Sequence, residues 1–431
     1  MATVRQLERR LDTGDGLAVV VGIAVGSGIF RTPGLVAAQL GRPALLFVAW
    51  VLGGLVALMG GLVFAELATR HPRAGGKYVF ARESFGPRAA FVVGWIEVLI
   101  YCVAIAAIGV VSGEYLARLL AWPAARAGVL GALAIAAFTA LNLLGVAAGR
   151  LTQNLATAAK VLALAAVVTA AGLAGGGEGW RTALPQAPNG LAAAGALAVA
   201  FQSVIWSYYG YVDAAKIAEE VVDPGIRLPR IFLLGIASVT ALYLLLNAAF
   251  LQVLPFERMA ASSLVASEVV EEIFGAHAGG LMTGLALLVV AASLNGNVFV
   301  TPRVVFGLAR DGLGPAVFAR VNRGGTPWTA MVLAGVAAAV LAVTGTFEWL
   351  LSLAIAFVLV IDGFMVPVLF RLRRKSSAAP FRVPLYPAVP LLFLGTYAAL
   401  FLATAARQPG VVAIALAVLG ATYVVGRAWL R

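Results

Sequence analysis

The chain is short of charge, cysteine and histidine. Charged side chains make up 12% of its 431 residues, about half the roughly 25% of a soluble domain. That deficit excludes a soluble globular enzyme, a disordered chain and a nucleic-acid module, despite a net charge of +12 and a pI near 10.3. The single cysteine, Cys102, excludes a disulfide framework and a Cys-based zinc site. Two histidines, His71 and His277, are too few and too far apart in sequence for a His-rich metal site, so neither a metal nor a cofactor is expected. No H-E-x-x-H run, no G-x-S-x-G run and no close carboxylate pair supports a membrane-embedded hydrolase. The apolar runs lack the period-2 alternation of a membrane barrel. What the chain does have is 62% hydrophobic residues and a mean hydropathy of +0.97. An all-α polytopic membrane protein is the expectation.

A helix needs about 20 apolar residues to cross a hydrocarbon core of roughly 30 Å. Twelve such runs lie near 16–39, 43–68, 88–117, 124–147, 152–174, 191–215, 231–254, 278–306, 328–345, 347–370, 386–406 and 410–429. Residues 1–15 are polar and do not read as a cleavable signal peptide, because the first apolar run is long enough to span. Basic residues gather in alternate loops: Arg5, Arg9 and Arg10, then Arg70 to Arg88, Arg227 and Arg230, Arg310 to Arg323, and Arg371 to Lys375. Cytoplasmic loops carry such an excess, which predicts both termini in the cytoplasm, beneath the plasma membrane of a bacterial or archaeal cell, with the positive charge facing anionic lipid. No linker is long enough to separate domains. The loop near 255–277 holds Glu268, Glu271 and Glu272 and reads as a solvated lid.

The first span reads Val21-Gly-Ile-Ala-Val-Gly-Ser-Gly-Ile-Phe30. Glycine costs about 1 kcal/mol relative to alanine inside a helix, so Gly22, Gly26 and Gly28 predict a local unwinding, although Gly22 and Gly26 also fit a small-xxx-small packing face. The sixth span holds Trp206-Ser-Tyr-Tyr-Gly-Tyr211 between an apolar half and a polar half ending in Lys216, Glu219 and Glu220. Interruptions at matching positions of two halves point to a transporter binding site. With five spans per half, the second half is inverted. Unwinding frees N–H groups at one half-helix and C=O groups at the other. The N–H end suits a carboxylate and the carbonyl end an ammonium. An α-amino acid carries both, and Ser27 and Ser207 could add hydroxyl contacts.

These motifs carry a family resemblance. Gly26-Ser-Gly-Ile-Phe30 resembles the first-helix signature of the amino acid–polyamine–organocation (APC) superfamily, and Trp206-Ser-Tyr-Tyr-Gly-Tyr211 its unwound sixth helix. The run from Glu219 to Arg230 resembles the family's acidic helix end and the turn after it, with Asp223 in the usual Asn place. Ser293-Leu-Asn-Gly296 resembles the eighth-helix motif of bacterial L-type amino acid transporters. The resemblance implies a LeuT-type fold of twelve transmembrane helices: a cytoplasmic 1–15, one repeat over 16–174, an inverted repeat over 191–370, and two peripheral helices over 386–429. It implies that Ala24, Gly26, Ser27 and Gly28 receive the substrate carboxylate. It places Trp206, Ser207, Tyr208 and Gly210 on the amino group and side chain, with Trp206 or Tyr211 as a gate. Tyr209 and Arg31 depart from the pattern.

Lys160 sits within the fifth span, where an ammonium costs about 2.5–3.5 kcal/mol on insertion scales; snorkelling to the edge is the alternative. The resemblance matches Lys160 to the lysine that some members place where relatives bind sodium, with Gly22, Val25, Ser293 and Asn295 completing the cation site. Glu97, Asp213 and Asp362 also lie in or near spans and read as helix-end or inter-helix hydrogen-bonding residues. The expected activity is alternating-access transport of neutral L-amino acids, sodium-independent, by exchange or proton-linked uptake. A cationic amino acid or polyamine carrier remains open, as does a non-transporting sensor or a channel on the same fold. A disulfide-linked partner subunit is not expected, because Cys102 lies inside the third span.

Overall fold

The computed structural model describes residues 9–26, 28–262, 265–275, 278–376 and 378–431. Each predicted apolar run coincides with a helix or a helix pair. The first splits into α1 (Thr13–Ala24) and α2 (Gly28–Leu40), bent by 47°. Asp12 starts α1 through a capping box with Asp15, which satisfies two orphan backbone donors. Then come α3 (Pro43–Arg70), the short α4 (Lys77–Phe85), α5 (Pro87–Leu119), α6 (Ala127–Leu143), α7 (Val146–Ala174) and α8 (Gly190–Tyr208). Beyond α8 the chain tightens into a 3₁₀ segment, Tyr209–Ala215. α9 (Pro224–Val253) follows, then the short α10 (Phe256–Ala261) and α11 (Val265–Phe274), then α12 (Gly279–Arg310), α13 (Trp328–Thr344), α14 (Phe347–Lys375), α15 (Ala388–Arg407) and α16 (Pro409–Trp429). Among the described residues there is no β-strand, only a bridge between Leu11 and Val221. It ties the start of the chain to the end of the sixth run: Arg10 and Leu11 donate their N–H groups to the Glu220 carbonyl, and Val222 donates back to Leu11.

Among the described residues nine helices are long and apolar enough to cross a membrane, or ten when α1 and α2 count as one bent span. α13, at 17 residues, is the shorter apolar helix. Burial separates an inner set from an outer one. α5 buries 83% of its most apolar stretch and α14 78%, whereas α16 buries 17%. The outer helices turn Leu133, Leu155, Leu162 and Leu173 outward. A helix that is apolar on its outward face needs an apolar solvent, and lipid supplies one.

Two boundaries move from their predicted places. Gly22 remains helical and the first break lies at Val25–Gly26, because Gly22 serves close approach: a Cβ there would strike the Gln153 amide and, at 2.6 Å, the Thr157 hydroxyl. The sixth run stays α-helical through Tyr208 and changes at Tyr209. The Ser207 hydroxyl bonds back to the Ser203 carbonyl at 3.1 Å, within the intact helix.

Candidate functional site

The two breaks meet. Ending α1 at Ala24 frees four carbonyls, which must find partners in an apolar interior. Each is taken by a side chain from another helix. Lys160 of α7 donates its Nζ to the Gly22 carbonyl at 2.5 Å and to the Val25 carbonyl at 2.6 Å. Ser293 of α12 donates to the Ile23 carbonyl at 2.9 Å. Tyr243 of α9 reaches the Ala24 carbonyl at 2.7 Å and the Ser207 carbonyl at 2.6 Å. One hydroxyl hydrogen thus lies between acceptors from both breaks. Lys160 is 0% exposed, so it does not snorkel.

The N–H side of the break is treated differently. Gly26 and Gly28 line a cavity with Ala24, Trp206, Ser207, Tyr209, Gly210 and Asp213. Its remaining wall mixes apolar Ile23, Ala104 and Ile108 with polar Tyr101, Ser293 and Asn297. Two glycines are required by contact. A Cβ on Gly28 would meet Ser207 Oγ at 2.5 Å and its Cα at 3.1 Å, and one on Gly210 would fall on the Ala24 backbone. The cavity volume is about 30 Å³, far below the roughly 300–1,000 Å³ of pockets that enclose small-molecule ligands. An amino acid therefore enters only if the breaks move apart.

The structure redistributes several expected residues. Ser27 lies outside the described residues. Tyr208 points away from the cavity: its hydroxyl donates to the Trp50 carbonyl at 2.9 Å and its ring packs on Trp50 and Tyr243. Tyr211 faces α3, with its ring edge-on to Phe64 and its hydroxyl crowding Gly60. Trp206, part-exposed, remains at the cavity, and Tyr209, which departs from the family pattern, takes a place there that sequence reasoning did not assign. Asn295 is not on the Lys160 ammonium. It donates to Gln153 at 2.9 Å and accepts from Asn142 at 2.8 Å, because two residues along a helix from Ser293 is about 200° around it. Tyr243 was missed altogether; a tyrosine in an apolar run carries no signal of what its hydroxyl meets. Arg31 pairs with Glu114 at 3.0 Å. Glu97, Asp213 and Asp362 come together in one buried cluster with Lys77 and Lys216. No group of three or more His, Cys, Asp or Glu side chains able to hold a metal occurs among the described residues.

The sequence matches the amino acid permease family over residues 13–424. The chain belongs to this family. Permeases of this kind are APC-superfamily transporters and not enzymes, and the apolar helices of this one make it a multi-pass membrane protein. The permease is 29% identical to the serine/threonine exchanger of Bacillus subtilis over 87% of its own length and 86% of the relative's. It is 29% identical to the human b(0,+)-type amino acid transporter 1, over 90% and 80% of the two chains. It is 28% identical to the human large neutral amino acids transporter small subunit 2, over 96% and 79%. Amino acid transport is therefore the general activity, with antiport supported by the exchanger among its relatives.

Proposed function

We propose that this permease carries neutral L-amino acids across a prokaryotic plasma membrane by alternating access between two inverted five-helix repeats, without sodium and in exchange for internal substrate. The observation that carries this reading is the asymmetry of the first break. Its carbonyl side is filled by protein donors, with the Lys160 ammonium where a cation would otherwise sit. On its other side Gly26 and Gly28, at the start of α2, line the cavity. A helix start of this kind favours a carboxylate, and the substrate amino group then falls to carbonyls near Ser207 and Gly210. Asp213 borders the cavity, but its charge is opposed by Lys216 at 2.7 Å, which supports a neutral substrate over a cationic one. The names of the relatives, one a serine/threonine exchanger and one a large neutral amino acids transporter subunit, agree with that choice. Twelve spans with both termini cytoplasmic complete the reading. The only cysteine, Cys102, is buried in α5, so the permease works without a disulfide-linked subunit.

The test is uptake of a panel of radiolabelled amino acids into proteoliposomes, with and without sodium, a pH step and internal substrate. Neutral amino acids are taken up, faster with internal substrate and equally without sodium. Uptake of decarboxylated amines at the same rate removes the carboxylate role and favours a polyamine carrier. Binding without any counterflow favours a sensor.

A further inference from the structure

Next to the cavity, four elements bury five ionisable side chains at 0–1% exposure. Lys77 begins α4, Glu97 lies on α5, Asp213 lies in the 3₁₀ segment that Lys216 caps, and Asp362 lies on α14. Lys77 Nζ is 2.6 Å from Asp362 and donates to the Tyr209 hydroxyl at 2.7 Å. Lys216 is 2.7 Å from Asp213, which also accepts from Tyr101 at 2.8 Å. Glu97 sits between the two ammonium groups, 3.9 Å from Lys77 and 3.7 Å from Lys216. Neither of its oxygens has a hydrogen-bond partner among the described residues. A turn through Gly75 and Gly76 roofs the cluster: a Cβ on Gly76 would lie 3.3 Å from Lys216 and 3.8 Å from Glu97.

Three carboxylates face two ammonium groups, so the fully ionised cluster holds one negative charge in excess. An uncompensated charge in an apolar interior is costly, and a buried carboxyl without a cation of its own is neutral instead. Asp362 and Asp213 each have an ammonium within 2.7 Å, whereas Glu97 has none nearer than 3.7 Å. We propose that Glu97 is a proton-binding site that links amino acid movement to proton uptake, a role that rests on the transport reading above. The linkage has a physical route. Asp213 and Tyr209 line the cavity while Asp213, Lys216 and Tyr209 belong to the segment that must shift to admit substrate, and Glu97 stays on the central, heavily buried α5. Moving Lys216 relative to Glu97 changes the electrostatic field at the carboxyl, so its proton occupancy depends on where the segment sits. Effects of substrate on proton and of proton on substrate are then equal, as linkage requires. The charged groups facing Glu97 are Lys77, Lys216, Asp213 and Asp362. The arginines on α12, which also packs on α5, are engaged elsewhere, Arg303 by Glu220 and Arg310 by Glu219.

The experiment uses the purified permease in proteoliposomes loaded with a pH-sensitive dye, with L-serine and L-leucine as probes. Wild type should acidify the lumen when substrate is added outside, and an inward gradient of one pH unit should accumulate substrate up to about tenfold for one proton per substrate. Glu97→Gln should abolish both while substrate-for-substrate exchange persists. Asp362→Asn removes the same excess charge at a different atom and should also uncouple protons, which keeps the idea testable if Glu97→Gln fails to fold. Wild-type exchange without proton movement overturns the proposal and leaves transport standing. So does acidification that persists in either folded variant, or a sodium gradient that drives accumulation in place of protons. A wild-type protein that shows neither exchange nor uptake overturns the transport reading itself, and this one with it.

Discussion

The two breaks solve one problem in opposite ways. At the first, α1 simply stops, and its freed carbonyls are held from outside by Lys160, Ser293 and Tyr243, on three other helices. At the sixth, the chain tightens into 3₁₀ geometry and keeps much of its bonding within the segment, as in the Lys216 N–H to the Asp213 carbonyl at 3.0 Å. The first break is therefore locked to α7, α9 and α12 together, and loosening it means exchanging partners on all three. The sixth carries much of its backbone bonding with it and is tied to its neighbours mainly through Tyr243, Lys77 and Tyr101. A buried polar group must be satisfied in either design; what differs is whether the backbone of the break is satisfied from outside or within the segment.

The largest expected effect comes from closing the gap between the breaks. Gly28→Val places side-chain carbon on Ser207 and should abolish substrate binding, measured by scintillation proximity, while the folded protein is still recovered by size-exclusion chromatography. Full-strength binding would show that the first break does not approach the sixth as closely as it does here. Next is Lys160→Ala, which strips the Gly22 and Val25 carbonyls of their donor at about 1–3 kcal/mol for each buried group left unsatisfied. Transport should fall at least about tenfold, the equivalent of 1.4 kcal/mol, and a new sodium response would show a metal ion replacing the ammonium. Unchanged transport without one would mean that the first break does not depend on donors from outside.

Tyr243→Phe is smaller because one hydroxyl is lost. It should lower thermal stability by the equivalent of about 1–3 kcal/mol and slow exchange, since it frees both the Ala24 and Ser207 carbonyls. A variant as stable and as fast as wild type would uncouple the two breaks. The smallest stability effect belongs to Trp206→Ala, because that ring is only part-buried. Exchange should nevertheless slow, with melting temperature nearly unchanged, if the ring covers substrate. Tyr211→Ala, behind the segment against Phe64, should show the reverse pattern, with more stability lost than selectivity.

The order and approximate extent of the helices were legible in the sequence, because an apolar stretch of span length has few alternatives in lipid and glycine-rich interruptions stand out against it. So was Lys160, since a charge amid alanines and leucines announces a cost that something must offset. Rotation about a helix axis was not legible. Tyr208, Tyr209 and Tyr211 look equivalent in a row of letters, yet only Tyr209 reaches the cavity; Ser293 and Asn295, two residues apart, face different neighbours.

The sequence by itself determined a helical membrane transporter with two interrupted spans and a buried lysine, because composition and local propensity act over a few residues at a time. Which donor meets which freed carbonyl, and that Lys77, Glu97, Asp213, Lys216 and Asp362 share one buried cluster, was decided only by tertiary packing. Those five residues span 286 positions of chain, and the free energy of a buried charge depends on the few ångströms around it, not on its neighbours in sequence.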